Sequence, residues 1–279
     1  MKLENHDLMK TTIINGDLIE VMRGREMEAD VIVTSPPYNL GKKYGDGVSD
    51  KRKPAHYLSW ANDWLSLLKV VLKPGGSLFL NVGSSPSKPL FPLELHGVTR
   101  GLFQTQNVIH WVKSIALPAP TGEKTLGHFK PINSDRYLND THEYIFHLTH
   151  AGDVPLDRKA KGVGTTYSDD SNIARWKHTG GGNMRCRGNN WFLPYKTIQS
   201  REKGRPHPAT FPVELAERCI RLHGLDKGPL TVMDPFMGLG STGKAAVRCG
   251  AEEFIGIDIV EFYCDLARTG IELTLKETL

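Results

Sequence analysis

The stretch from Leu230 to Ile259, LTVMDPFMGLGSTGKAAVRCGAEEFIGIDI, narrows the fold more than any other part of the chain. An apolar run, LTVMD, enters a glycine-rich turn, STGKAAVRCG has the composition of a helix, and FIGIDI is a second apolar run. Two buried strands joined through a helix pair in parallel, and parallel sheets bury both faces under helices. The same alternation extends through the chain. TIINGDLIEVM (12–22) reads as strand, turn and short helix, and ADVIVTSPPYNL (29–40) as a buried strand, VIVT, that runs into a proline loop. Apolar residues at 57, 61, 64, 65, 68, 71 and 72 share one helical face, KPGG stops that helix, and SLFLNVG (77–83) is the next strand. FQTQNVIHWVKS (103–114) and HEYIFHLTH (142–150) read as two further strands around a Pro/Gly-rich stretch at 115–140, and FPVELAERCIRLHG (211–224) as an amphipathic helix. The pattern predicts an α/β fold, a doubly wound and mostly parallel sheet, with no internal repeat.

With 279 residues, 39% of them hydrophobic, the chain has enough apolar material for one large domain carrying an insertion. No stretch approaches the ~20 apolar residues of a membrane span, and MKLENHDLMK lacks the apolar core of a signal peptide. The expectation is a soluble, cytoplasmic protein. Cysteines 186, 219, 249 and 264 form no C-x-x-C pair and no zinc spacing, so they are expected to be reduced thiols, mostly in the core, and no metal is expected. Net charge is only +4, but residues 151–205 hold eleven Lys/Arg against five Asp/Glu, and periodicity fails there. The chain therefore divides into 1–150, an inserted basic module at 151–205 suited to a polyanion, and 206–279, which completes the first part's domain.

GLGSTGKA (238–245) admits more than one ligand. As a phosphate-binding loop it fails at Ala245, where the hydroxyl for Mg²⁺ should stand. As a dinucleotide loop, Gly238, Gly240 and Gly243 are correctly spaced, and Asp258 ends the next strand where a carboxylate accepts ribose hydroxyls. Asp234, just ahead of the loop, works against a pyrophosphate and suits a ligand with a cationic or amino group. S-adenosylmethionine has both a ribose and such groups. A glycine turn that merely packs helix on strand stays open as well.

TSPPY (34–38) adds a second constraint. Two prolines after a buried strand hold the backbone extended and present Ser35 and Tyr38 at the sheet's C-terminal edge, where open α/β sheets bind ligands. TSPPY and DPFMGLGST together resemble the DNA amino-methyltransferases, which methylate N4 of cytosine or N6 of adenine. The resemblance runs through NGD (15–17), TSPPYN, KPGG, NVIHWVK, HEYIF, HPATFPVELAERCIRL (207–222), DPFMGLGST and FIGIDI, in the order of that family's β class.

The resemblance implies S-adenosylmethionine as cofactor, leaving as S-adenosylhomocysteine, and double-stranded DNA as partner. It assigns Asp234, Phe236, Gly238, Gly240, Ser241 and Asp258 to the cofactor, with Thr34 at the end of its strand. His207, Thr210 and Phe211 fall beside the methionine portion, and Asp17 near the adenine or the target amine, although a turn aspartate explains Asp17 nearly as well. Ser35 Oγ and the Pro36 carbonyl can accept the two N–H protons of a target amine, Pro37 stiffens the loop, and Tyr38 can stack on a base rotated out of the duplex. S-P-P-Y is usual among the N4-cytosine enzymes, so cytosine N4 is favoured over adenine N6. The variable basic region implies target recognition by Arg175, Lys177, Arg185, Arg187, Lys196, Arg201, Lys203 and Arg205, while Trp191-Phe192-Leu193-Pro194 suits docking of the insertion on the main sheet. A homodimer and a cognate restriction nuclease are further partners the resemblance admits. Outside it stand a non-catalytic DNA-binding relative and, on the glycine pattern alone, a dinucleotide oxidoreductase.

Overall fold

The computed structural model of the chain describes residues 9–45, 48–129, 132–166, 183–194 and 210–278. In chain order its elements are β1 (Lys10–Asn15), α1 (Leu18–Arg23), β2 (Ala29–Thr34), β3 (Lys43–Tyr44), β4 (Val48–Ser49), α2 (Pro54–Val71), β5 (Leu72–Val82), α3 (Phe91–Thr99), β6 (Gln104–Val112), β7 (Ser114–Ala119), β8 (Gly122–Gly127), β9 (His142–Thr149), β10 (Thr165–Thr166), β11 (Met184–Arg185), β12 (Asn190–Phe192), α4 (Val213–His223), β13 (Thr231–Asp234), α5 (Ser241–Cys249), β14 (Glu253–Asp258) and α6 (Glu261–Thr278). Eight strands form one sheet in the order β1-β14-β13-β2-β5-β9-β6-β12. Its pairs are parallel except where β9 runs against β5 and β6. The doubly wound, mostly parallel sheet is present, and the reversed strand brings the start of β9 to the edge where its neighbours end.

Strand alternation explains why helices cover both faces. In β2, Val31 and Val33 join a core with Leu215, Ala216, Cys219 and Ile220 of α4 and Ala245 and Ala246 of α5. Ile32, between them, points the other way into a core with Tyr57, Ala61, Trp64, Leu65 and Leu68 of α2. Complete burial of a side chain such as Leu65 or Ile32 contributes about 1.5–3 kcal/mol, so these two cores dominate the stability of the sheet.

The α2 periodicity matches the buried face, and Pro54 opens the helix where a missing N–H costs nothing. The turn after it differs in detail from the sequence expectation. Strand β5 starts at Leu72, and Lys73–Gly76 bulge outward, since pairing with β2 jumps from Ala29↔Leu72 to Val31↔Ser77. A Cβ on Gly76 would lie 2.9 Å from the carbonyl oxygens of Asp30 and Lys73, so the bulge requires glycine. The stretch at 115–140 also contains more order than its composition suggests: β7 and β8 form a hairpin whose mostly exposed residues give no apolar period to read.

Residues Asn190–Phe192 join the frame. Strand β12 extends the sheet by pairing with β6, Trp191 is 2% exposed, and the Arg218 guanidinium lies 5.2 Å from its ring centre. Trp111 Nε1 donates to the Leu193 carbonyl at 2.8 Å. Residues 190–193 thus pack against the edge of the sheet. Cys219, Cys249 and Cys264 are buried and Cys186 is exposed, all four as free thiols.

Candidate active site

TSPPY and DPFMGLGST leave neighbouring strands, β2 and β13, at their C-terminal ends. Between the two loops lies a cleft of about 1200 Å³, open solvent at its mouth included. Ser35, Pro36, Pro37 and Tyr38 line one part of it, and Phe236, Gly238, Ser241 and Asp258 another. Asp17, Thr210 and Phe211 complete the predicted residues that reach it.

Thr34, Asp234 and Gly240 are not among the residues that line the cleft. Thr34 is fully buried and Asp234 is 1% exposed. The Asp234 carboxylate accepts from Thr34 Oγ1 at 2.7 Å, Thr242 Oγ1 at 2.7 Å and the Phe236 backbone N–H at 3.1 Å. Burial pushes its pKa up to about 6 against the pull of these donors. This carboxylate fastens the two loops to each other. Gly240 caps α5 with φ +74°, a left-handed conformation suited to glycine. Gly243 is required by proximity instead: a Cβ there would lie 2.3 Å from Ile271 Cδ1 and 2.7 Å from Phe254 Cε1.

Asp258 stands between the glycine loop and the start of α6. Its Oδ2 accepts from the Gly238 N–H at 2.8 Å and its Oδ1 from the Val260 N–H at 2.9 Å, and burial raises its pKa. Each oxygen keeps a lone pair for a hydroxyl in the cleft. Asp17 caps α1, with Oδ1 accepting from the N–H groups of Ile19 and Glu20 at 2.9 and 3.3 Å. Ser241 Oγ donates to the Phe211 carbonyl at 3.0 Å, which holds the segment before α4 against the glycine loop. Lys244, the lysine that a phosphate loop would use, folds against Gly270 of α6 and is absent from the cleft lining.

A polar network stands behind the proline loop. Ser35 Oγ and the Tyr38 hydroxyl are 2.7 Å apart. The Tyr38 hydroxyl also donates to Glu143 Oε2 at 3.1 Å, and Asn81 Nδ2 donates to Tyr38 at 3.0 Å and to Glu143 at 2.8 Å. Lys113 Nζ pairs with Glu143 Oε1 at 3.1 Å. Tyr57 of α2 donates to the Pro37 carbonyl at 2.6 Å. Sequence reading missed Asn81, Glu143 and Lys113. The signal available was a polar or charged residue in an otherwise apolar strand, SLFLNV for Asn81 and HEYIF for Glu143.

The segment after TSPPY forms another wall. Asn39 adopts φ +55°, which asparagine tolerates, and its Oδ1 accepts from the Arg52 N–H at 2.7 Å. The buried Asp50 carboxylate takes the N–H groups of Leu40 and Lys42, and Tyr44 and Val48 of the β3–β4 hairpin face the cleft. Of the stretch GKKYGDG (41–47), Lys42 and Tyr44 line the cleft. Across from it the Trp60 and Phe236 rings meet edge-on at 5.7 Å.

Of the basic residues expected at DNA, Arg185 is exposed on β11, whereas Arg187 donates to the Val163 and Gly164 carbonyls at 3.1 and 2.8 Å and so braces its own loop. Arg175, Lys177, Lys196, Arg201, Lys203 and Arg205, with His207 of the cofactor set, lie outside the described residues. Among the described residues no group of three or more His, Cys, Asp or Glu is arranged to hold a metal ion, and no helix is long and apolar enough to cross a membrane.

Comparison with known proteins agrees with this arrangement. Residues 29–269 match the model of a family described as DNA methylase, covering N6 and N4 methyltransferases. The type II methyltransferase M.ScaI of Streptomyces caespitosus is 27% identical over 270 residues, spanning 91% of this chain and 79% of that protein. The DNA adenine methyltransferase YhdJ of Escherichia coli K12 is 28% identical over 254 residues, spanning 90% and 79%. Among solved structures, the cytosine-N4-specific PvuII DNA methyltransferase superposes with a TM-score of 0.64 at 17% identity, over 97% of this chain and 93% of that one, a likeness of fold.

Proposed function

This chain belongs to the DNA methylase family and is a DNA methyltransferase; we propose that its target is the exocyclic N4 amine of cytosine. The observation that carries the reading is Ser35, a neutral hydroxyl at the cleft, held 2.7 Å from Tyr38 at the head of S-P-P-Y.

S-adenosylmethionine supplies a methyl group activated on a sulfonium sulfur. The cleft suits it: Asp258 retains acceptor capacity for ribose hydroxyls, Gly238 turns the chain with φ +51°, and the Trp60 and Phe236 rings offer π surface to a cation. Ser241, Thr210 and Phe211 stand beside the glycine loop, where the methionine portion would be held, and Asp17 faces the same space.

The chain's own task is to make the amine nucleophilic and to aim it. A cytosine amine delocalises its lone pair into the ring. Ser35 Oγ and the Pro36 carbonyl accept its two N–H groups and turn the nitrogen toward tetrahedral geometry. Tyr57 occupies the Pro37 carbonyl, and Tyr38, with its hydroxyl held inward, offers a ring face for the base to stack on. Duplex DNA must release the base to reach this cleft. Residues 151–205 serve as the target-recognition module, with Arg185 and the basic residues at 175, 177, 196, 201, 203 and 205 as its candidates to meet DNA. A homodimer and, by analogy with type II relatives, a paired restriction nuclease complete the proposed partners.

Mass spectrometry of nucleosides from DNA methylated with labelled S-adenosylmethionine tests the reading, and N4-methylcytosine is expected. N6-methyladenine, the second reading that the E. coli relative favours, would show that Ser35 does not select the base.

A further inference from the structure

Glu143 is 8% exposed and is the one acidic residue of β9, flanked by His142 and Tyr144. The ladder joining β9 to β6 continues past it to His142, and the one joining β9 to β5 ends before it at Tyr144, so strand pairing does not require its charge. A buried carboxylate is costly unless both oxygens are engaged. Here Oε1 meets Lys113, while Oε2 meets Tyr38 and Asn81, and Tyr38 leads directly to Ser35.

We propose that Glu143 is the positioning residue that ends the path by which the target amine loses its proton, an inference that rests on the methyltransferase reading. Donor and acceptor identities fix the direction of the path. An ionised carboxylate only accepts, and Asn81 Nδ2 donates to both Glu143 and the Tyr38 oxygen. The Tyr38 proton therefore points to Glu143 at 3.1 Å, in preference to the weaker Asn81 carbonyl at 3.3 Å. Its oxygen is left to accept from the Ser35 hydroxyl, and Ser35 Oγ keeps a lone pair for the amine. Lys113 pairs with the carboxylate oxygen that faces away from Tyr38 and so sets the carboxylate's orientation.

The step balances. The amine's lone pair forms the N–CH₃ bond, and the electrons of the broken C–S bond remain on sulfur. One amine proton passes to Ser35 Oγ as the Ser35 proton passes to Tyr38 and the Tyr38 proton to Glu143. Both hydroxyls end as they began, and Glu143 becomes a carboxylic acid. The positive charge that entered with the sulfonium is cancelled by the carboxylate's lost negative charge, and Glu143 returns its proton to solvent between turnovers.

Steady-state methylation of unmethylated genomic DNA by the full chain is the test, with Glu143→Gln, Tyr38→Phe and the double variant. Glu143→Gln keeps an acceptor for Tyr38 but cannot take up the proton. Each single variant is expected to lower kcat by roughly tenfold or more while KM for DNA and donor affinity stay within about twofold. Because both interrupt one path, the double variant should be no slower than the slower single. Glu143→Asp should recover part of the rate. An unchanged kcat in Glu143→Gln, a loss confined to KM, or losses that multiply in the double variant would each overturn the proposal. Should the Glu143 variants melt below assay temperature, Tyr38→Phe decides alone, and full kcat there overturns it. Absence of any methylation by the unaltered chain would overturn the function reading, and this proposal with it.

Discussion

Thr34 Oγ1 donates to the Asp234 carboxylate at 2.7 Å, joining residues two hundred positions apart at the point where the proline loop and the glycine loop leave adjacent strands. One buried carboxylate thereby sets the distance between the place for the amine and the place for the methyl donor.

Asp234→Ala should leave the Thr34 hydroxyl and the Phe236 N–H without their acceptor, while Thr242 keeps the Val33 carbonyl, and cost on the order of 3 kcal/mol in denaturant unfolding. Thr34→Val, which removes one donor, should cost about 1 kcal/mol. Cofactor affinity should fall in Asp234→Ala although the side chain does not line the cleft. An unfolding midpoint equal to that of the parent would show that the joint is dispensable.

Asp258→Ala should weaken S-adenosylmethionine binding by roughly tenfold or more, in keeping with the ~1.5–3 kcal/mol of a hydrogen bond to a charged group. Calorimetric titration measures this directly. Unchanged affinity would remove Asp258 from the cofactor site.

Ser35→Ala should slow methyl transfer about a hundredfold in a single turnover while donor affinity stays within about twofold. Parallel loss of rate and affinity would mean that Ser35 serves the shape of the loop.

Acid should destabilise the chain through two core histidines. His147 Nε2 and His223 Nδ1 both bond Ser77 Oγ, at 3.0 and 2.9 Å, and Asn107 Nδ2 donates to His147 Nδ1 at 3.1 Å. Burial lowers their pKa values to about 3 and about 4, with Lys227 adding to both and His223 to His147. Above the unfolded value of 6.5 both are neutral in either state. As pH falls below it the unfolded chain takes up protons that the folded chain refuses, so stability declines down to the folded values, by several kcal/mol in all. Asp234 works in the opposite sense between about 6 and 3.8, where the folded carboxylate binds its proton first, and offsets part of the loss. Urea midpoints measured from neutral pH to pH 4 should fall, and less steeply in His147→Gln; a flat profile would contradict the assignment.

Trp191→Ala should cost about 3–5 kcal/mol, as expected for a large ring removed from a packed site under Arg218. If Trp191 instead met DNA, differential scanning calorimetry would show parental stability and only DNA binding would suffer.

The sequence by itself determined the order of elements, the two-sided sheet and the two loops, because apolar period, prolines and glycines act over a few neighbouring residues. Ser35, Tyr38, Gly238 and Asp258 were legible for that reason: each sits in a short motif whose backbone shape is local. Tertiary structure alone decided what each buried polar group is for. The sequence does not show that the Asp234 carboxylate holds Thr34 and Thr242, or that the Arg187 guanidinium rests on two backbone carbonyls. Glu143 and Asn81 come from β9 and β5 and Lys113 from the junction of β6 and β7, and their meeting behind Tyr38 depends on β9 lying reversed between β5 and β6. Strand order is fixed by long-range packing, and so is the burial that makes a lone carboxylate costly unless its partners have been brought to it.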